Sequence, residues 1–139
     1  MKYILDTCVI SELIAKQPNP KVVEFVDLLD PDDLFLSVIT IGEIAKGIEK
    51  LPKSKRKQEL ETWLKEDLLV RFDGNIISLD AEVLLKWGMI VAPLESSGKT
   101  PPAMDSLIAA TVLARSMVLI TRNVNDYKLM KIEIVNPWE

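Results

Sequence analysis

Histidine is absent from this sequence, and cysteine occurs once, as Cys8. Without histidine there is no Ser-His-Asp or Cys-His catalysis, no imidazole general base and no His-ligated zinc. A single thiol forms neither an intramolecular disulfide nor a thiolate metal site, in keeping with a reducing compartment. Any metal held here has oxygen ligands, which selects a hard cation, Mg²⁺ or Mn²⁺ before others. A glycine-rich phosphate loop and a G-x-G-x-x-G motif are also missing, so a nucleotide cofactor has no support. Ser11, Ser106 and Cys8 lack a base partner for nucleophilic catalysis. No apolar run approaches the roughly 20 residues of a membrane span. Asp6 interrupts the N-terminal apolar residues too early for a secretion signal. The expected location is the cytoplasm, with no membrane partner.

What is present suits one domain spanning residues 1–139: 48 % of the chain is hydrophobic and 27 % charged, the balance of an ordinary soluble fold. The formal net charge of -4 argues against a general nucleic-acid coat protein, but not against a local grip on nucleic acid. Lys46, Lys50, Lys53, Lys55, Arg56 and Lys57 form a basic stretch. It reads either as a solvated helix end and turn or as a surface for backbone phosphates.

Short apolar runs alternate with helical patterns along the chain. Lys2 to Leu5 predicts a buried strand ending at Asp6, followed by a helix over 8–14 capped by Asp6 or Thr7. Pro18 and Pro20 break it, and a buried apolar helix follows over about 22–29. Leu34 to Val38 predicts the second strand, with a helix from about Thr40 carrying Ile41, Ile44, Ala45 and Ile48 on one face. Further helices are expected over about 54–69 and from Asp80 onwards, separated by a strand over 75–79. Residues 95–102 read as loop. A helix then carries Asp105, followed by a strand over 117–121, a turn over 123–128 and a last strand over 132–135. Alternation of this kind implies a three-layer α/β/α sandwich around a mostly parallel sheet of about five strands.

That topology gathers acids. Ligands of an open parallel sheet bind at the carboxyl edge of its strands. Asp6 ends the first strand, and Asn123 and Asp126 follow the fourth. Glu43 belongs to the helix that leaves the top of the second strand. Asp105 heads the helix that descends to the start of the fourth. Each acid also has a local explanation: Thr40-Ile41-Gly42-Glu43 has the form of a capping box, and Asp6, Asp105 and Asp126 are candidate helix caps or first-turn charges. Four like charges on one rim nevertheless repel one another unless a cation sits between them. Such a set fits a divalent metal and metal-assisted hydrolysis of a phosphodiester, leaving a 5′-phosphate and a 3′-hydroxyl.

The residues that carry this pattern resemble those of PIN-domain ribonucleases. Asp6-Thr7-Cys8-Val9-Ile10-Ser11-Glu12 resembles the family's opening, and Leu36 to Glu43 with Gly47-Ile48 its second block. Pro102 to Ala110 resembles the third, and Thr121 to Tyr127 with Asn136-Pro137-Trp138 the end. Within that family the sequence is most similar to VapC toxins of toxin–antitoxin pairs, in the FitB-like branch. The resemblance implies an Mg²⁺- or Mn²⁺-dependent endoribonuclease acting on RNA, a homodimer, and a VapB-like antitoxin whose tail covers the active site. It places the catalytic and metal-binding acids at Asp6, Glu43 and Asp105. The fourth acid of the family lies at one of two places, Asn123 or Asp126 here. Asp126 is taken as the ionised group, with Thr7, Thr121 and Asn123 as polar supports. Lys46, Lys99 and Arg122 are candidates for contact with RNA. Cys8 departs from the family pattern, which usually has Asn there, and this puts metal preference and rate in question. Two alternatives from other classes are a PIN fold kept as a binding module and a receiver-type Mg²⁺-binding signalling domain.

Overall fold

The computed structural model describes residues 1–139. Its apolar runs form five strands: β1 (Tyr3–Leu5), β2 (Leu34–Ser37), β3 (Ile76–Ile77), β4 (Val118–Ile120) and β5 (Ile134–Val135). All four pairings are parallel, in the order β3-β2-β1-β4-β5. The expected sheet is therefore present, and it is wholly parallel. The third and fifth strands are shorter than the apolar runs that predicted them.

Helices α1 (Thr7–Ile14), α2 (Pro20–Asp27), α3 (Val38–Glu49), α4 (Lys55–Thr62), α5 (Leu69–Arg71), α6 (Ala81–Ser96), α7 (Ala103–Arg115) and α8 (Val124–Tyr127) connect the strands. A wide π-helical stretch, Trp63–Leu68, joins α4 to α5, so the helix expected over 54–69 exists with a widened centre. The third helix starts at Val38 rather than Thr40, because Ser37 takes the cap by accepting from the Ile39 amide at 3.0 Å. The loop expected from residue 95 begins later, since α6 continues through Pro93 to Ser96.

Side chains alternate across the strands, and each face of the sheet has its own core. Leu5 and Ile120 join Val9, Ile10, Val22, Val26 and Ile44 on one face. Ile4 and Leu119 join Ile108, Ala109, Val112 and Met117 on the other. The first core draws on α1 to α3 and the stretch after α4, the second on α7 and Tyr127, with Ile90 and Leu94 of α6 packed against it. Three layers result. Burial of α2 is confined to one stripe: Val22 and Val26 are covered, whereas Leu28, just past its end, is 79 % exposed.

The turn from α7 into β4 decides where the head of α7 lies. Ser116 takes a left-handed conformation (φ 54°) and Met117 donates its amide back to Val112 at 3.0 Å, the arrangement that ends many helices. The chain then runs up β4, so the first turn of α7 stands at the carboxyl edge of the sheet. No helix is long and apolar enough to cross a membrane.

Ile4 lies at the centre of the sheet, fully buried between β2 and β4. Replacing it with alanine removes buried methyl groups and leaves a cavity, and is expected to cost about 2–5 kcal/mol in urea unfolding. A loss under about 1 kcal/mol would contradict this packing.

Candidate active site

The strands β1 and β4 are neighbours, but the chain leaves them toward opposite sides of the sheet. Such a switch point opens a crevice at the carboxyl edge. Asp6 follows β1 and Thr121 follows β4, so both stand in it. Asp6 is only 4 % exposed. Its Oδ1 accepts from the Thr7 amide at 2.9 Å, which caps α1. Its Oδ2 accepts from Thr121 Oγ1 at 2.7 Å and from the Tyr127 hydroxyl at 3.2 Å. These donors favour the charged form, but burial outweighs them and raises the Asp6 carboxyl above its ordinary range, with a further contribution from the charge of Glu43.

Cys8 feeds the same chain of hydrogen bonds. Its Sγ lies 3.5 Å from Thr121 Oγ1 and accepts from the Arg122 amide at 3.5 Å. Thr121 has one proton, which goes to Asp6, so the thiol is the donor between the two. Burial pushes this thiol up, away from the thiolate.

Glu43 reaches the site from α3. The capping box expected from Thr40 and Glu43 does not form: Ser37 caps the helix, and Glu43 falls in its second turn. Its Oε1 instead accepts from Thr7 Oγ1 at 2.6 Å, and the Thr7 hydroxyl lies 3.1 Å from that of Thr40. One threonine thus ties α3 to α1 and sets Glu43 beside the residue that follows Asp6.

Asp105 stands in the first turn of α7. It does not cap that helix; Pro102 precedes it and no side chain caps. A carboxylate in a first helical turn is ordinarily stabilised by the helix dipole. Here burial dominates, aided by the charges of Asp6, Asp126 and Glu43, and the Asp105 carboxyl is pushed up to about 6. Its Oδ1 accepts from the Tyr127 hydroxyl at 3.2 Å. Behind it, Ser106 is clamped by Trp87 Nε1 at 2.9 Å and by its own bond to Ala103 at 2.7 Å, which pins the head of α7 to α6.

Asp126, in α8, is exposed on the rim and makes no capping bond. Asn123 donates its amide to Thr121 Oγ1 at 3.0 Å and is itself exposed. The structure therefore joins Asp6, Asp105, Thr7, Thr121 and Glu43 through short hydrogen bonds, with Asp126 close enough to act on Asp105 through its charge. As placed, no three of these carboxylates close around one point. Tyr127 is the residue that sequence reasoning passed over. Its position in a polar turn directly after Asp126 was the available signal.

Of the cation candidates, Arg122 borders the site directly. Its guanidinium lies 5.4 Å from the Trp138 ring centroid, beside a polar hollow lined by Asn123, Asn125, Asp126 and Asn136. Lys46 and Lys99 are exposed. Within the basic stretch, Lys57 caps the end of α3 through the Glu49 and Leu51 carbonyls. Arg56 lies at one end of a mainly apolar groove of about 250 Å³ that starts at Thr7 and Glu43. Both salt bridges of the molecule belong to Arg115, with Asp80 and Glu82, so no basic side chain neutralises the acidic edge. An all-oxygen donor set without a basic partner, in which burial and the charges of Asp6, Asp126 and Glu43 raise Asp105, fits a hard divalent cation.

Comparison with known proteins follows the same lines. A family model described as PIN domain matches residues 3–131. The chain is 35 % identical over 135 residues to Toxin FitB of Neisseria gonorrhoeae, covering 97 % of each chain. It is 31 % identical over 136 residues to VapC ribonuclease Y4jK of Sinorhizobium fredii, covering 98 % of this chain and 97 % of the relative. Superposition on the crystal structure of FitAcB from Neisseria gonorrhoeae gives a TM-score of 0.92 at 34 % identity, over 99 % of both chains.

The raised Asp105 carboxyl has a consequence for stability. Its folded value lies above the ordinary 3.8, so the folded state holds a proton that the unfolded state releases between about pH 4 and 6. Stability is greatest below that window and falls as pH rises through it. In chelator-treated protein, Asp105→Asn should therefore melt progressively higher than the wild type as pH goes from about 4 to about 7. A difference that does not change with pH would refute the assignment.

Proposed function

The chain belongs to the PIN-domain family, and from that premise we propose that it is a metal-dependent endoribonuclease of VapC type, the toxin of a toxin–antitoxin pair. The observation that carries this reading is the pairing of Asp6 with Asp105 through Tyr127 at the β1–β4 switch point, both raised by burial, Asp105 also by the charge of Asp6, and without a cationic partner. Relatives named as a toxin and as a VapC ribonuclease support the activity. Residues 1–139 are taken as one PIN-like unit.

Asp6, Glu43, Asp105 and Asp126 would hold Mg²⁺ or Mn²⁺. When bound, the ion supplies a water acidic enough to ionise near neutrality and shields the charge of the phosphodiester. The protein's own contribution is preorganisation. Thr7 keeps its proton on Oε1 of Glu43, and Thr121 keeps its proton on Oδ2 of Asp6. Each acid is thereby held in one orientation, without being neutralised, before RNA arrives. Arg122, level with Thr121, is the basic residue best placed to meet the RNA backbone, ahead of Lys46 and Lys99. The Asn123 backbone amide supports Asp6 through Thr121.

A VapB-like antitoxin is the proposed partner, and the apolar groove lined by Thr7, Glu43 and Arg56 gives its tail a seat beside Glu43. Leu85 and Met89, 72 % and 67 % exposed on α6, supply an apolar face for a homodimer. The spread of the carboxylates favours one second reading, a PIN fold that binds RNA without cutting it.

Purified protein should cleave labelled total RNA in Mg²⁺ or Mn²⁺, with chelator abolishing the reaction. The products should carry 5′-phosphate and 3′-hydroxyl ends. Asp105→Asn should lower the rate by at least about 100-fold, as expected when a group that positions the reacting centre is lost. Cyclic-phosphate ends would rule out the hydrolytic mechanism. Metal-independent RNA binding without cleavage would favour the binding module.

A further inference from the structure

Tyr127 is wholly buried, its ring among the residues of the second core, including Ile4, Ile108 and Leu119. Phenylalanine would fill the same space. The hydroxyl leaves this apolar setting at one point and meets two acids, Asp6 Oδ2 and Asp105 Oδ1, at 3.2 Å each. A phenol carries one proton, so it donates to one carboxylate at a time while its lone pairs face the other.

The two acids are not held equally. Asp6 is fixed at both oxygens by Thr7 and Thr121. Asp105 is half-buried, and the hydrogen bond to its side chain comes from Tyr127. Through Tyr127, an immobile ring ties the freer acid to the fixed one. The two carboxylate oxygens are thereby kept within two hydrogen-bond lengths of each other, although their residues lie on different elements.

We propose that Tyr127 is a positioning residue whose hydroxyl sets the separation and orientation of Asp6 and Asp105, so that the pair receives a divalent cation together. This rests on the metal-dependent reading above. Groups that orient metal-binding carboxylates typically account for about tenfold to hundredfold in affinity. The ring packs the same with or without its hydroxyl, so beyond the stability lost with one donor to Asp6 the contribution should be seen in metal affinity.

The test compares Mn²⁺ affinity in the wild type, Tyr127→Phe and Asp105→Asn, using the electron paramagnetic resonance of free Mn²⁺, with metal-free melting curves alongside. Tyr127→Phe should melt within a few degrees of the wild type yet bind Mn²⁺ about tenfold or more weakly. Equal affinity in Tyr127→Phe and the wild type overturns the assignment while leaving the metal site intact. A wild type that takes up no Mn²⁺ defeats the metal-dependent reading, and this inference with it. Because Tyr127→Phe also strips a donor from buried Asp6, a second measurement leaves the fold untouched. The protein has two tyrosines, Tyr3 and Tyr127, and both are labelled with 3-fluorotyrosine. Titration with Mg²⁺ should shift the Tyr127 fluorine resonance saturably and leave that of Tyr3, which begins β1, in place. Mg²⁺ uptake with an unmoved Tyr127 signal also overturns the proposal.

Discussion

A carboxylate at the end of the central strand of a sheet with two cores is expensive to keep charged. Water is excluded from Asp6 almost completely, and an uncompensated buried charge would cost several kcal/mol or more. Three donors offset that cost: the Thr7 amide, the Thr121 hydroxyl and the Tyr127 hydroxyl. Much of the carboxyl edge follows from meeting this demand. Thr7 must begin α1, Thr121 must follow β4, and α8 must turn Tyr127 back over the sheet. Once they do, Asp105 and Glu43 are linked to Asp6 through the same side chains.

Two neighbours of opposite character act on Asp105. The head of α7 presents a dipole that favours negative charge, while burial and three nearby acids disfavour it. The second influence wins, and the carboxyl remains easy to protonate near neutral pH. Such a group is poor at stabilising the metal-free fold and well suited to receiving a cation, which offsets the burial that chiefly raised it and the repulsion that added to it. The same trade accounts for the absence of any lysine or arginine paired with the edge. A basic partner there would stabilise the empty fold and compete with the ion.

Much of the architecture was legible in residue patterns. Continuous apolar strands alternating with amphipathic helices demand a parallel sheet covered on both faces, and this placed Asp6, Glu43, Asp105 and Asp126 on one edge before any coordinates. What escaped depended on atoms rather than periodicity. Thr40 with Glu43 has the pattern of a cap, but the strand ends at Ser37 and the helix begins at Val38, which leaves Thr40 inside its first turn. Ser37 wins, which frees Glu43 from the cap to meet Thr7. Tyr127 stands in the sequence only as the end of a motif, and its ring proves to be buried in the core. That its hydroxyl also reaches two acids depends on the turn between β4 and α8, which the sequence pattern does not resolve. The sequence pattern also gives no sign that the Cys8 thiol lies 3.5 Å from Thr121 and joins the chain of hydrogen bonds to Asp6.

The partners of Asp6 lie far along the chain: Thr121 is 115 residues downstream and Tyr127 is 121. A polypeptide emerging from the ribosome carries Asp6 long before it carries the two hydroxyls that hold it, and Asp105 before the Tyr127 hydroxyl. Strand β4, which brings Thr121 alongside β1, follows β1 by more than a hundred residues. The edge is therefore assembled only once β4 has been made, because long-range pairings cannot form until both strands exist.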